Sequence, residues 1–226
     1  VTLAVVALWM AALRDDDLRT AASCGAALAV GLFFTHGVLV LGAWFVLATA
    51  AAVWSDTDRR AALRRAGRAT AAGAAAALGI FGLLRAATGY DHLAALRVSM
   101  RIQEGLAGAW NRPWRLTVVW DVYDFFLASG WAPAALVALF VLRWARGGAG
   151  DPRLRGFAAA ALGTLAIVDL SGLLRAETAR VWLFLQPLAL IVAGAELARR
   201  PLGARVAVVG AVFFALAVLR ARVIFL

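Results

Sequence analysis

Side chains that could act on a substrate gather in a few short stretches of the chain. Asp121 and Asp124 stand three residues apart, a spacing that puts both on one face of a helix. Asp169 follows in a later apolar stretch, and just beyond it the chain reads Arg175-Ala-Glu177-Thr-Ala-Arg180. Arg112 lies in the turn Asn111-Arg-Pro-Trp114, ahead of the two aspartates. Carboxylates in such a setting can bind sugar hydroxyls, hold a divalent metal or abstract a proton. Guanidinium groups match phosphate oxygens in bidentate fashion, which suits a lipid phosphate or pyrophosphate. The same residues could instead pair with one another and fix helix packing, and residue type alone leaves both readings open.

Other reactive side chains carry less. Cys24 is the one cysteine, so neither a disulfide framework nor a thiolate metal site can be built from this chain. His36, alone in an apolar run, reads as structural or interfacial rather than catalytic. Asp15, Asp16 and Asp17 read as a solvated acidic loop.

The elements that must position these groups are apolar helices. Of the 226 residues, 64% are hydrophobic and 16% charged, and the mean hydropathy is +0.84. A chain with so little polar surface cannot coat a water-soluble globule. A bilayer core about 30 Å thick takes roughly 20 apolar residues per crossing. Spans are expected at Ala69 to Ala87, Thr117 to Leu142, Gly156 to Leu174, Val181 to Leu197 and Val206 to Leu219. The opening run Val1 to Leu13 would cover only about 20 Å, which leads us to expect a helix that begins upstream.

Residues 21–54 carry no charge and would rise roughly 51 Å as one helix, too far for one crossing. A hairpin broken at Thr35-His36-Gly37 is expected, with Gly37 supplying the backbone freedom of a tight turn. The expected fold class is therefore all-α, a polytopic transmembrane bundle of about seven to eight spans forming one domain over residues 1–226, which is expected to be part of a longer protein.

The formal charge of +10 does not point to nucleic acid, because the arginines lie in short loops between apolar runs and read as topogenic. Arg59, Arg60, Arg64, Arg65 and Arg68 form one cluster, Arg143, Arg146, Arg153 and Arg155 a second, and Arg199, Arg200 and Arg205 a third. All three fall on one side, the cytoplasmic side, if residues 21–54 make a hairpin. Residues 88–116 then lie outside. Within them a helix over Asp91 to Gly108 would carry Arg97, Arg101 and Glu104 on one stripe, with Leu93, Leu96, Val98, Met100, Ile102 and Leu106 elsewhere, an interfacial amphipathic helix. Asp121, Asp124, Asp169, His92 and the Arg175 to Arg180 loop gather at the same outer level.

Three stretches carry a resemblance: Gly31-Leu-Phe-Phe-Thr-His-Gly37, Asn111-Arg-Pro-Trp114, and above all Asp169-Leu-Ser-Gly-Leu-Leu-Arg-Ala-Glu-Thr-Ala-Arg-Val-Trp-Leu-Phe-Leu-Gln-Pro187. Together they resemble the C-terminal membrane half of bacterial GT-C glycosyltransferase-like proteins, across most of the chain. The resemblance implies a multi-pass enzyme of the cell membrane that moves a sugar from a polyprenyl-phosphate donor to a lipid or cell-envelope acceptor outside the cytoplasm. It implies a substrate site at Arg175, Glu177, Arg180, Asp169, Arg112, Asp121 and Asp124, among membrane lipids. The family's catalytic acid lies in a first outer loop, expected upstream of Val1, and Ala176 stands where that family would have Gly. The alternative is a noncatalytic membrane scaffold or a transporter. A transporter should show internal repeats and midplane charges, and neither is evident in the sequence.

Overall fold

A computed structural model of the protein describes residues 1–109, 113–148, 150–172 and 182–224. Among the described residues the secondary structure is entirely helical. Helix α1 (Thr2–Asp15) ends where Asp16 turns left-handed at φ 53°, and Asp17 then caps α2 (Leu18–Phe34) by accepting from the Arg19 and Thr20 N–H groups. The turn folds α2 back along α1, so that the Cys24 thiol donates to the Val5 carbonyl at 3.4 Å.

Residues 21–54 are interrupted as their length demands. The backbone of Thr35 is extended, its hydroxyl accepts from Gly37 N–H, and a short 3₁₀ turn (His36–Val40) leads into α3 (Leu41–Ser55). Gly37 serves a purpose other than the expected one. It does not take the left-handed conformation that glycine permits; instead, a Cβ there would sit 2.8 Å from the Phe184 ring.

Helix α4 (Arg59–Thr88) starts on an Asp58 cap and stops at Gly89, which is left-handed at φ 74°. It runs parallel to α2 at close range. A Cβ on Gly25 would collide with the Gly73 backbone, so two glycines bring the helices together as small residues do in membrane bundles. Helix α5 (His92–Ala109) follows, then α6 (Trp114–Ser129) and α7 (Trp131–Ala145). Helix α8 (Pro152–Ser171) lies antiparallel to α3, with Gly156 against Ala51 and Gly163 against Leu47. A 3₁₀ turn (Trp182–Phe184), α9 (Gln186–Leu197) and α10 (Leu202–Ile224) complete the described chain.

Sequence periodicity alone would run Thr117 to Leu142 as one span, and here the structure corrects it. Helices α6 and α7 meet at a bend of 114°, because Gly130 at φ 87° breaks the helix between them. Of the expected seven to eight spans only part meets a strict test of length and hydropathy. The described residues hold three helices long and apolar enough to cross a membrane, His36–Ser55, Arg59–Thr88 and Pro152–Ser171, or four with the bent pair taken as one. Leu18–Phe34, Trp182–Leu197 and Leu202–Ala215 are apolar but shorter, and 17 helical residues rise about 26 Å against a core of about 30 Å.

Burial runs opposite to that of a water-soluble protein. Phe34, Trp54, Leu83, Phe214 and many other large apolar side chains lie exposed, while Asp121, Asp169 and Glu196 are buried. Exposed apolar surface on this scale, around a core that shelters carboxylates, fits lipid as the solvent.

The arginine clusters share one end of the bundle. Arg68 reaches Asp16 and Arg65 reaches Asp56. Gly156 abuts Ala51, Gly150 lies beside Arg199, and Arg143 pairs with Glu196. Asp15, Asp16 and Asp17 are accordingly more than a solvated loop: Asp15 pairs with Arg14, Asp16 with Arg68, and Asp17 caps α2.

Candidate functional site

The far end of the bundle, away from the three arginine clusters, is assembled from α6, α8 and the two 3₁₀ turns. Trp114 opens α6 and its indole N–H donates to the Leu170 carbonyl at 3.1 Å, which ties the start of α6 to the end of α8. Gly172, left-handed at φ 62°, ends α8 directly against the Trp114 ring. From that anchor the buried face of α6 runs Thr117, Asp121, Phe125, the four-residue repeat of a helix side. Its opposite face shows Val119, Trp120 and Tyr123 to the outside.

Asp121 and Asp169 therefore point inward from two different helices, 2% and 7% exposed, and are close enough for their charges to interact. Asp169 Oδ1 has no hydrogen-bond partner among the described residues. Trp182 packs on Phe125 with ring centroids 5.8 Å apart, and its buried indole N–H is also without a described partner. A buried acceptor and a buried donor, each left unpaired, are costly unless a ligand or water completes them. Asp124 lies on the flank of the α6 face, half-buried. The remaining expected site residues, Arg112, Arg175, Glu177 and Arg180, lie outside the described residues.

Among the described residues no group of three or more His, Cys, Asp or Glu side chains is placed to hold a metal ion. Two carboxylates can bind hydroxyl groups without one.

At the same end the two histidines, taken separately in the sequence, meet. His36 from the 3₁₀ turn and His92 at the start of α5 lie with ring centroids 5.1 Å apart, and His92 stacks on Phe81 at 4.0 Å. His36 Nε2 and His92 Nδ1 are both buried without a described partner. Burial holds the His92 imidazole below its ordinary pKa, the charge of His36 adds to that effect, and Asp91 opposes it. Helix α5 has the expected amphipathic build: Arg97, Arg101 and Glu104 are exposed together with Leu93, Val98 and Ile102, and Leu96, Met100 and Leu106 are half-buried.

Sequence reasoning missed Glu196. It is 3% exposed and accepts from Arg143 Nε at 3.0 Å and Nη2 at 2.8 Å, with Arg200 Nη2 at 3.3 Å. A signal existed, since a lone acid inside the apolar run Leu188–Leu197 calls for a cationic partner.

No protein-family model, curated protein or solved structure matches the chain. The functional reading therefore rests on the residues themselves.

Proposed function

We propose that the chain is a multi-pass cell-membrane protein that holds a polyprenyl-phosphate-linked sugar at the end of the bundle opposite the three arginine clusters, as part of a GT-C-like glycosyltransferase. The observation that carries this reading is the buried pair Asp121 and Asp169, with the unpartnered Asp169 Oδ1. An ionisable group kept inside an apolar bundle is costly and commonly marks a ligand path. Ionised carboxylates only accept hydrogen bonds, and a sugar supplies many hydroxyl donors.

In this reading Asp121, Asp169 and Trp182 orient the sugar. Arg112, which precedes the aspartates in the chain, and Arg175 and Arg180, which follow them, take the donor phosphate, and Glu177 lies between those two arginines in sequence. The arginine clusters face the cytoplasm. The shorter apolar helices also cross, with the bilayer thinning to meet them, for seven to eight crossings in all.

The test is donor affinity on detergent-purified, monodisperse protein. Asp169→Asn and Asp121→Asn should each weaken binding of a polyprenyl-phosphate sugar by about tenfold or more, the worth of a hydrogen bond to a charged group. Affinity unchanged in both variants, or a wild-type protein that binds no donor, would leave the carboxylates with a packing role and favour the scaffold.

A further inference from the structure

At the arginine end a cleft of about 730 Å³ opens on the flank of the bundle between α3 and α4. Its floor contains Trp9 and Cys24, both buried, and its rim Trp54 and Leu63, both exposed. The Trp9 indole N–H donates to Thr49 Oγ1 at 3.1 Å, which neutralises two polar atoms on the wall. Among the described residues Arg59 is the one charged residue of the lining. Its guanidinium lies 4.5 Å over the Trp54 ring, an arrangement that fixes the plane while leaving edge N–H groups able to donate. Among the described residues no carboxylate pairs with Arg59, whereas Arg65 and Arg68 are matched to Asp56 and Asp16. Exposed Arg60 and Arg64 stand on the same turns of α4.

The dimensions match one leaflet. Along the α3 wall, from Trp54 to Phe45, the rise is about 14 Å, and half of a hydrocarbon core of about 30 Å is about 15 Å. An apolar tail gains little by leaving lipid for an apolar cleft, because lipid tails are as apolar as leucine. Shape therefore locates the tail, and the charge at the mouth supplies the selectivity. A zwitterionic head group would set its ammonium against the Arg59 guanidinium and lose part of what its phosphate gains there, while an anionic one keeps that gain.

We propose that this cleft binds one anionic phospholipid of the leaflet at the arginine end, an acyl chain between α3 and α4 and the phosphate on Arg59. The proposal rests on the membrane reading and is independent of the sugar donor, whose site lies at the other end.

Delipidated protein in detergent, titrated with phosphatidylglycerol and with phosphatidylcholine of the same acyl chains and followed by native mass spectrometry, tests it. One phosphatidylglycerol should bind about fivefold more tightly than phosphatidylcholine. Arg59→Gln should bring the two lipids to parity. Ala50→Trp from the α3 wall, or Ala74→Trp from the α4 wall, should remove the site for both, and free glycerol phosphate should not compete. Equal binding of the two lipids by wild type, a preference that persists in Arg59→Gln, or undiminished binding by a monodisperse cleft-filled variant overturns the proposal. A readout without bulky variants is quenching by phosphatidylglycerol with brominated acyl chains. The fluorescence lost in Trp9→Phe or in Trp54→Phe, the two tryptophans of the cleft, should be a strongly quenched fraction, and insensitivity of both to bromine would also overturn the proposal. Donor affinity on Asp169→Asn is a separate measurement, so either site can fail alone.

Discussion

At the arginine end of the bundle Glu196 is buried with two guanidinium partners, while at the far end Asp169 is buried with an oxygen that no described group meets. Both carboxylates sit in apolar surroundings. Their difference is one of satisfaction, and satisfaction separates a group that holds the fold from one kept for another purpose. A matched buried charge is expensive to break, because removing one partner leaves the other uncompensated. An unmatched one is costly from the start, and such cost is tolerated where a ligand offsets it. The histidine pair belongs with Asp169 on this view, since both rings keep a buried nitrogen without a described partner.

Sidedness is the sharpest way to break the comparison, because its outcome is all or none. Arg64→Cys, at the arginine end, should stay unlabelled by an impermeant thiol reagent applied outside cells, and Ser99→Cys, on α5, should react. The reverse pattern would exchange the two ends and remove the outer-leaflet site.

Stability effects of opposite sign should follow. Glu196→Ala leaves Arg143, whose side chain is 21% exposed, without its acid, at a cost of about 3 kcal/mol. Thermal unfolding in detergent should show a clear fall in Tm together with lower folded yield. Asp169→Asn should instead leave Tm unchanged or raise it, by a stability gain of at most about 1 kcal/mol, because one oxygen of that buried carboxylate has no described partner. A drop for Asp169→Asn as large as that for Glu196→Ala would mean that the far end is also held by matched charge.

The smallest effect concerns pH. His92 takes a proton less readily in the folded protein than in the unfolded chain, where histidine titrates near pH 6.5. Below that pH the unfolded state binds the extra proton, so the stability contribution is present above about pH 6.5 and is lost as the pH falls. His36, Tyr90 and Asp91 face the ring, and Arg85 pairs with Asp91. Tm measured from pH 8 to pH 5 should fall more steeply for wild type than for His92→Gln, and parallel curves would place the pH response elsewhere.

Much of the fold was legible because helical geometry is local. The break at Thr35 followed from a charge-free run too long for the bilayer. The bend at Gly130 was missed, because apolar periodicity runs unbroken across Gly130 and Pro133, although each weakens a continuous helix. Within the expected substrate set, Asp121 and Asp169 face the same buried region. Asp124 is displaced from the buried line because its three-residue offset puts it to the side of Thr117, Asp121 and Phe125.

By itself the sequence determined the helical class, the apolar runs and the clustering of arginines, all of which depend on residues a few positions apart. Tertiary structure alone decided that His36 meets His92, that Arg143 meets Glu196, and that the Asp169 oxygen is left without a described partner. Those outcomes depend on which helix faces which and at what depth. Close approaches such as Gly25 against Gly73, and turns such as Gly130, set that register. Helical periodicity gives the face of a side chain on its own helix and carries no information about what lies opposite.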